Sequence, residues 1–124
     1  MRRKIITLIL LICLLGITWF IIKNNIIKQA GNINISDLEL SNVNDGVYIG
    51  EYELLPVKAV VQVQVNNCKV YEIKILEHQN GLGKKAEMIN DWVIEKQSLK
   101  VDLVSGATVS SKVILKAIGN ALSK

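Results

Sequence analysis

Eighteen consecutive residues without a charge, Ile5 to Ile22, constrain this chain more than any other feature. Wound as a helix at ~1.5 Å per residue they reach about 27 Å, close to the thickness of a bilayer's hydrocarbon core. A cleaved signal peptide ends its apolar stretch in small residues. This one ends in Trp19, Phe20, Ile21 and Ile22 and lacks an Ala-x-Ala site, so a retained anchor is expected. Cys13 follows bulky Ile12, where a lipoprotein signal has a small residue, and lipid attachment is not expected there. Arg2, Arg3 and Lys4 precede the run and Lys23 and Lys28 follow it, so the positive-inside rule puts the N-terminus in the cytoplasm and everything after Ile22 outside. The expected organisation is a cytoplasmic tip and transmembrane anchor over 1–22, a stalk over 23–44 and one domain over 45–124.

Divided this way, the net charge of +4 loses its apparent meaning. Beyond Ile22 there are twelve Lys against eleven Asp and Glu, a net +1, with the two signs interspersed. Nucleic acid is therefore not an expected partner. Cys13 lies in the apolar run and Cys68 outside it, so the two do not form a disulfide framework, and Cys68 reads as a free surface thiol. From Lys23 to Asn44 the chain is rich in Asn and Ile without a sustained period, which reads as a stalk holding about one helical turn.

The remaining 80 or so residues make one small domain, only marginally able to stabilise itself through its own core. Asp45-Gly46 signals a turn, and Val47 to Glu53 read as a strand with Tyr48 and Tyr52 on one face. Val57 to Val65 alternate, with Val57, Ala59, Val61, Val63 and Val65 on one side. Lys69 to Glu77 place Tyr71, Ile73 and Ile75 on an apolar face. Unbroken alternation then selects a three-residue loop, Asn66 to Cys68, pairing Val63 with Tyr71 and Val61 with Ile73. The stretch His78-Gln79-Asn80-Gly81-Leu82-Gly83 reads as a loop. Lys84 to Lys96 read as a helix burying Ala86, Ile89, Trp92 and Val93, and Lys100 to Val104 as a short strand. A last helix, capped by Ser110 or Ser111, carries the rows Val113, Ala117, Ala121 and Ile114, Ile118, Leu122 at i, i+4 spacing. The expected class is α+β: a small antiparallel sheet with two packed helices, preceded by one transmembrane helix.

Ahead of that last helix, Ser105, Gly106 and Ala107 allow a tight turn, and Thr108 follows at a helix N-terminus, whose unpaired amides favour an anion such as phosphate. The same residues also read as an ordinary small-residue turn before a Ser-capped helix, and spacing alone does not separate the two.

The run Asp102-Leu103-Val104-Ser105-Gly106-Ala107-Thr108 resembles the Asp-x-x-(Ser/Thr)-Gly-Ala-Thr sequence of the FMN-binding domain family. Five specified positions coincide by chance in a chain of this length roughly a few times in ten thousand. Asp45 to Gly50 is similar to that family's opening strand, and His78 to Ala86 to its His-to-Gly-x-Gly-x-Lys-Ala loop. The loop departs from the version in the sodium-pumping NADH:quinone oxidoreductase and Rnf complexes, Glu-Thr-Pro-Gly-(Leu/Ile)-Gly, by having Gln79-Asn80 before the first glycine, which favours the small stand-alone type.

The resemblance implies covalent FMN, joined by an FMN transferase through a phosphoester to Thr108. Ser105, Gly106 and Ala107 would then shape the attachment turn, and Asp102 would belong to the sequence that the transferase reads. His78, Gly81 and Gly83 become candidates to approach the ring or ribityl chain, with Lys84 and its neighbour Lys85 near the phosphate. The implied protein is an extracytoplasmic electron carrier held at the cell membrane, with a membrane or extracytoplasmic electron donor and acceptor as partners. The alternative is a sensory or scaffold module of the same fold, with loosely bound flavin or none. No nucleophile–base pair or metal-ligand cluster is visible, so no catalytic or metal residue is assigned.

Overall fold

A computed structural model describes residues 1–35, 38–79 and 84–123. Helix α1 runs from Arg2 to Gly31, and its apolar residues lie exposed along the length expected to meet lipid. It is long and apolar enough to cross a membrane. The helix also takes in Lys23 to Gly31, so the first nine residues assigned to the stalk are helical rather than about one turn. Their stability comes from elsewhere in the chain. Lys112 Nζ donates to Ala30 O (2.9 Å), which also accepts Ile33 N–H, and Lys116 Nζ donates to Asn34 O (3.1 Å) just past the helix, so one ammonium group stands at the negative end of the helix dipole and a second holds the segment that follows.

The domain is a three-stranded antiparallel meander, β1 (Gly46–Leu54), β2 (Val57–Asn66) and β3 (Lys69–Gln79), in the order β1-β2-β3. On β2 the alternation reads as expected: Val57, Ala59, Val61, Val63 and Val65 are all buried. Its loop to β3 differs from expectation. Asn66 pairs with Lys69 across a two-residue turn, Asn67-Cys68, in which both residues have positive φ (52° and 56°), as a type I′ hairpin requires. The register then shifts between Gln64 and Val65, so Val65 faces Val70 while Val63 faces Ile73 and Val61 faces Ile75. Tyr71 falls in that bulge and is 68% exposed, not on the apolar face. One extra residue changes the parity of the strand there, so Val70 takes the core side in place of Tyr71, while Ile73 and Ile75 lie on it as expected.

A 3-10 helix, Lys84–Met88, leads into α2 (Ile89–Lys96), so the expected single helix is two pieces. Ala86, Ile89 and Val93 are buried and Trp92 half-buried, as read from the periodicity. Gln97 closes α2 in a left-handed conformation; its side chain donates to Ile94 O and Val70 O and accepts Val70 N–H, which ties the helix end to β3.

Helix α3 (Thr108–Leu122) lies across β1 and β2. Both apolar rows are buried, and so are Leu115 and Gly119, so more of the helix circumference is covered than two rows require. Each large aliphatic side chain buried there contributes ~1.5–3 kcal/mol. Contact with the sheet is closest at Gly50: a Cβ there would overlap Ala117 O and Ala121 N and approach Ala121 Cβ to 2.7 Å. The expected class, α+β with an antiparallel sheet, packed helices and a long apolar N-terminal helix, is what the structure shows.

Candidate functional site

Lys100 to Val104 do not form the expected strand. The polar groups of Val104 are used locally: its N–H donates to Ser111 Oγ (3.0 Å) and its carbonyl accepts Ala107 N–H (2.9 Å). That second bond closes a four-residue turn, Val104 to Ala107, with Gly106 third at φ +76°, the position where a type II turn requires a positive φ. A Cβ on Gly106 would also stand 2.9 Å from Lys85 Nζ, so glycine leaves room for that ammonium group over the turn.

Helix α3 begins at Thr108, three or four residues earlier than a cap by Ser110 or Ser111 would place it, and no side chain caps its N-terminus. Both serines are buried instead. Ser111 accepts the Val104 amide and donates to Ala107 O (2.7 Å), so it braces the turn from inside the first helical turn. Sequence reasoning offered Ser110 or Ser111 as the cap because serine does both jobs, and burial separates them. Thr108 itself is exposed. Asp102, Ser105 and Gly106 are exposed too, while Ala107 is buried. The local arrangement is a turn braced by Ser111, with Ser105 exposed on the turn and Thr108 exposed at the helix N-terminus.

Thr108 opens onto a cleft of about 610 Å³. One wall is the Gly106–Ser110 segment with Lys112, the second is Pro56 and Val57 at the β1–β2 turn, and the third is the face of α1 carrying Lys23, Ile26, Ile27 and Ala30. Cofactor sites commonly measure ~300–1,000 Å³ and combine apolar walls with a few polar groups, and this cleft has both properties.

Of the other expected site residues, His78 lies on β3 rather than in a loop. Its side chain is 2% exposed, and Nδ1–H donates to Glu87 Oε1 (3.0 Å), linking the strand to the 3-10 helix. Lys84 is exposed at the start of that helix, and the Lys85 ammonium group reaches the Val104–Ala107 turn. Gly81 and Gly83 lie outside the described residues.

Compared with known families, residues 55–123 match the model of the FMN-binding domain. The chain belongs to the FMN-binding domain family. No curated protein and no solved structure matches it. The family match spans β2, β3 and both domain helices and leaves β1, Gly46–Leu54, in front of it.

FMN as the cofactor of this FMN-binding domain follows from the match, and the residues present fit it. An exposed hydroxyl stands at the lip of a cleft of suitable size, an ammonium group covers the preceding turn, and the first-turn amides of α3 favour a phosphate. The apolar side chains of Ile26, Ile27, Pro56 and Val57 are suited to one face of a flat ring.

Proposed function

We propose that this protein is a membrane-anchored, extracytoplasmic carrier of FMN, linked by a phosphoester to Thr108, and that it relays electrons between membrane or extracytoplasmic partners. The observation that carries the reading is Thr108: it completes Asp102-x-x-Ser105-Gly106-Ala107-Thr108 and is exposed on the first turn of α3. Ser110 and Ser111, the nearest other hydroxyls on the helix, are buried. An FMN transferase can reach only the first of the three.

In this reading each residue has a separate task. Gly106 allows the turn, Ser111 holds it, Thr108 provides the oxygen, and Lys85 offsets the phosphate charge. Asp102 and Ser105 are exposed beside the acceptor, where the transferase can read them. Bound FMN supplies one- and two-electron redox chemistry. The protein retains the cofactor, excludes water from one side of it and keeps it near the membrane. A covalent bond suits an exported carrier, because a flavin held only by a ~610 Å³ open cleft would be lost to dilution outside the cell.

The test is intact mass after coexpression with an FMN transferase. The parent gains FMN less one water, and Thr108→Ala gains nothing. Flavin fluorescence in the denatured protein band gives the same answer independently. A parent that never carries the mass leaves a sensory or scaffold module with loose flavin or none.

A further inference from the structure

The cleft below Thr108 is not made by the FMN-binding domain alone. We propose that the face of α1 formed by Lys23, Ile26 and Ile27 is a wall of the flavin site, so that the cofactor lies against the last turns of the anchor helix. This rests on the reading that FMN is attached at Thr108.

The tether fixes where the cofactor begins. A group bonded to Thr108 starts at the lip of the cleft, whose opposite side is α1. Lys23, Ile26, Ile27 and Ala30 recur at i, i+3, i+4 and i+7, which makes them a single helical face. That face is held in place, since Ala30 is buried and its carbonyl accepts the Lys112 ammonium. Ile27 is 58% exposed, yet it lies beyond the apolar run in a segment otherwise rich in Lys, Asn and Gln. Ile26 and Ile27 face Pro56 and Val57 across the same cleft, so the four form an apolar lining that a flat aromatic ring tethered at Thr108 would cover. Lys23 and Lys112 line the same cleft and suit an anionic ligand.

The full-length chain, coexpressed with the transferase and purified in detergent, is compared with Ile26→Ser/Ile27→Ser and with Ile26→Leu/Ile27→Leu. Intact mass reports attachment, and iodide quenching of flavin fluorescence reports exposure. All three proteins are expected to gain the same mass. The cleft shields one side of its occupant, so opening one of its walls should raise the quenching constant of the Ser variant about twofold while the Leu variant keeps the parent's value. A flavinylated Ser variant that quenches like the parent overturns the proposal, as does a Leu variant that rises equally. A parent flavin as open to iodide as free FMN leaves the cleft to another occupant, such as a lipid chain, and also overturns it. A parent without the added mass refutes the attachment reading instead, an outcome read in mass and not in fluorescence.

Discussion

Replacing Ser111 by Ala tests whether the turn before Thr108 is held from within α3. The hydroxyl makes two bonds, accepting Val104 N–H at 3.0 Å and donating to Ala107 O at 2.7 Å. Ala107 O keeps a second donor, the Ser111 amide at 2.9 Å, so its loss is small. Val104 is buried, and its amide is left without a partner, which costs ~1–3 kcal/mol. The better helix propensity of Ala returns at most ~0.5 kcal/mol. The net loss is ~0.5–3 kcal/mol, and at about 4–8 °C per kcal/mol for a domain of this size the melting temperature should fall by roughly 2–24 °C. Thermal unfolding of the full chain in detergent measures it, and hydrogen exchange locates it, with the Val104 amide losing more protection than amides of β2. In a short coexpression the flavinylated fraction should fall as well, because the acceptor hydroxyl is less well fixed. A variant that melts with the parent, with Val104 still protected, would show that the turn does not depend on this hydroxyl.

Gly50→Val puts side-chain atoms where Ala117 O and Ala121 N already lie, so α3 must separate from β1; a loss of ~3 kcal/mol or more is expected, and a soluble, fully folded variant in denaturant titration would contradict it. Gly106→Ala forces a side chain into a positive φ and against Lys85 Nζ, and should cost ~1 kcal/mol or more of stability together with a lower flavinylated fraction by intact mass. Protease added to spheroplasts should digest the chain from Asp45 onward while the anchor stays in the membrane fraction; a protected C-terminus would reverse the proposed orientation.

What was legible in the sequence was periodic and local. The five buried positions of β2 and the two rows of α3 follow from spacings of two and four residues, and burial confirms both. Tyr71 was misplaced because alternation assumes an unbroken pleat, and the bulge that breaks it depends on positive φ at Asn67 and Cys68, the second of which is not a usual turn residue there. The extension of α1 was hidden for a different reason: the group that bonds its last turn, Lys112, is 82 residues away from its acceptor, Ala30. At the site, the family motif pointed to Thr108, but nothing in a row of hydroxyl residues distinguishes exposed Thr108 from buried Ser110 and Ser111. His78 was read as a loop residue because glycines follow it, whereas β3 continues through it to Gln79.

The bonds from Lys112 and Lys116 to the end of α1 also bear on how far the carrier can travel. A flexible linker of the 22 residues from Lys23 to Asn44 would let a domain wander over ~25 Å or more and sample partners at many heights. If α1 is the membrane anchor, the contacts of α3 with its end would reduce that freedom to spinning about the helix axis and drifting in the plane of the bilayer. Under the proposed function Thr108, on the first turn of α3, would then keep nearly one altitude above the lipid, and a donor or acceptor would have to present its own redox centre at the same level to exchange electrons with it.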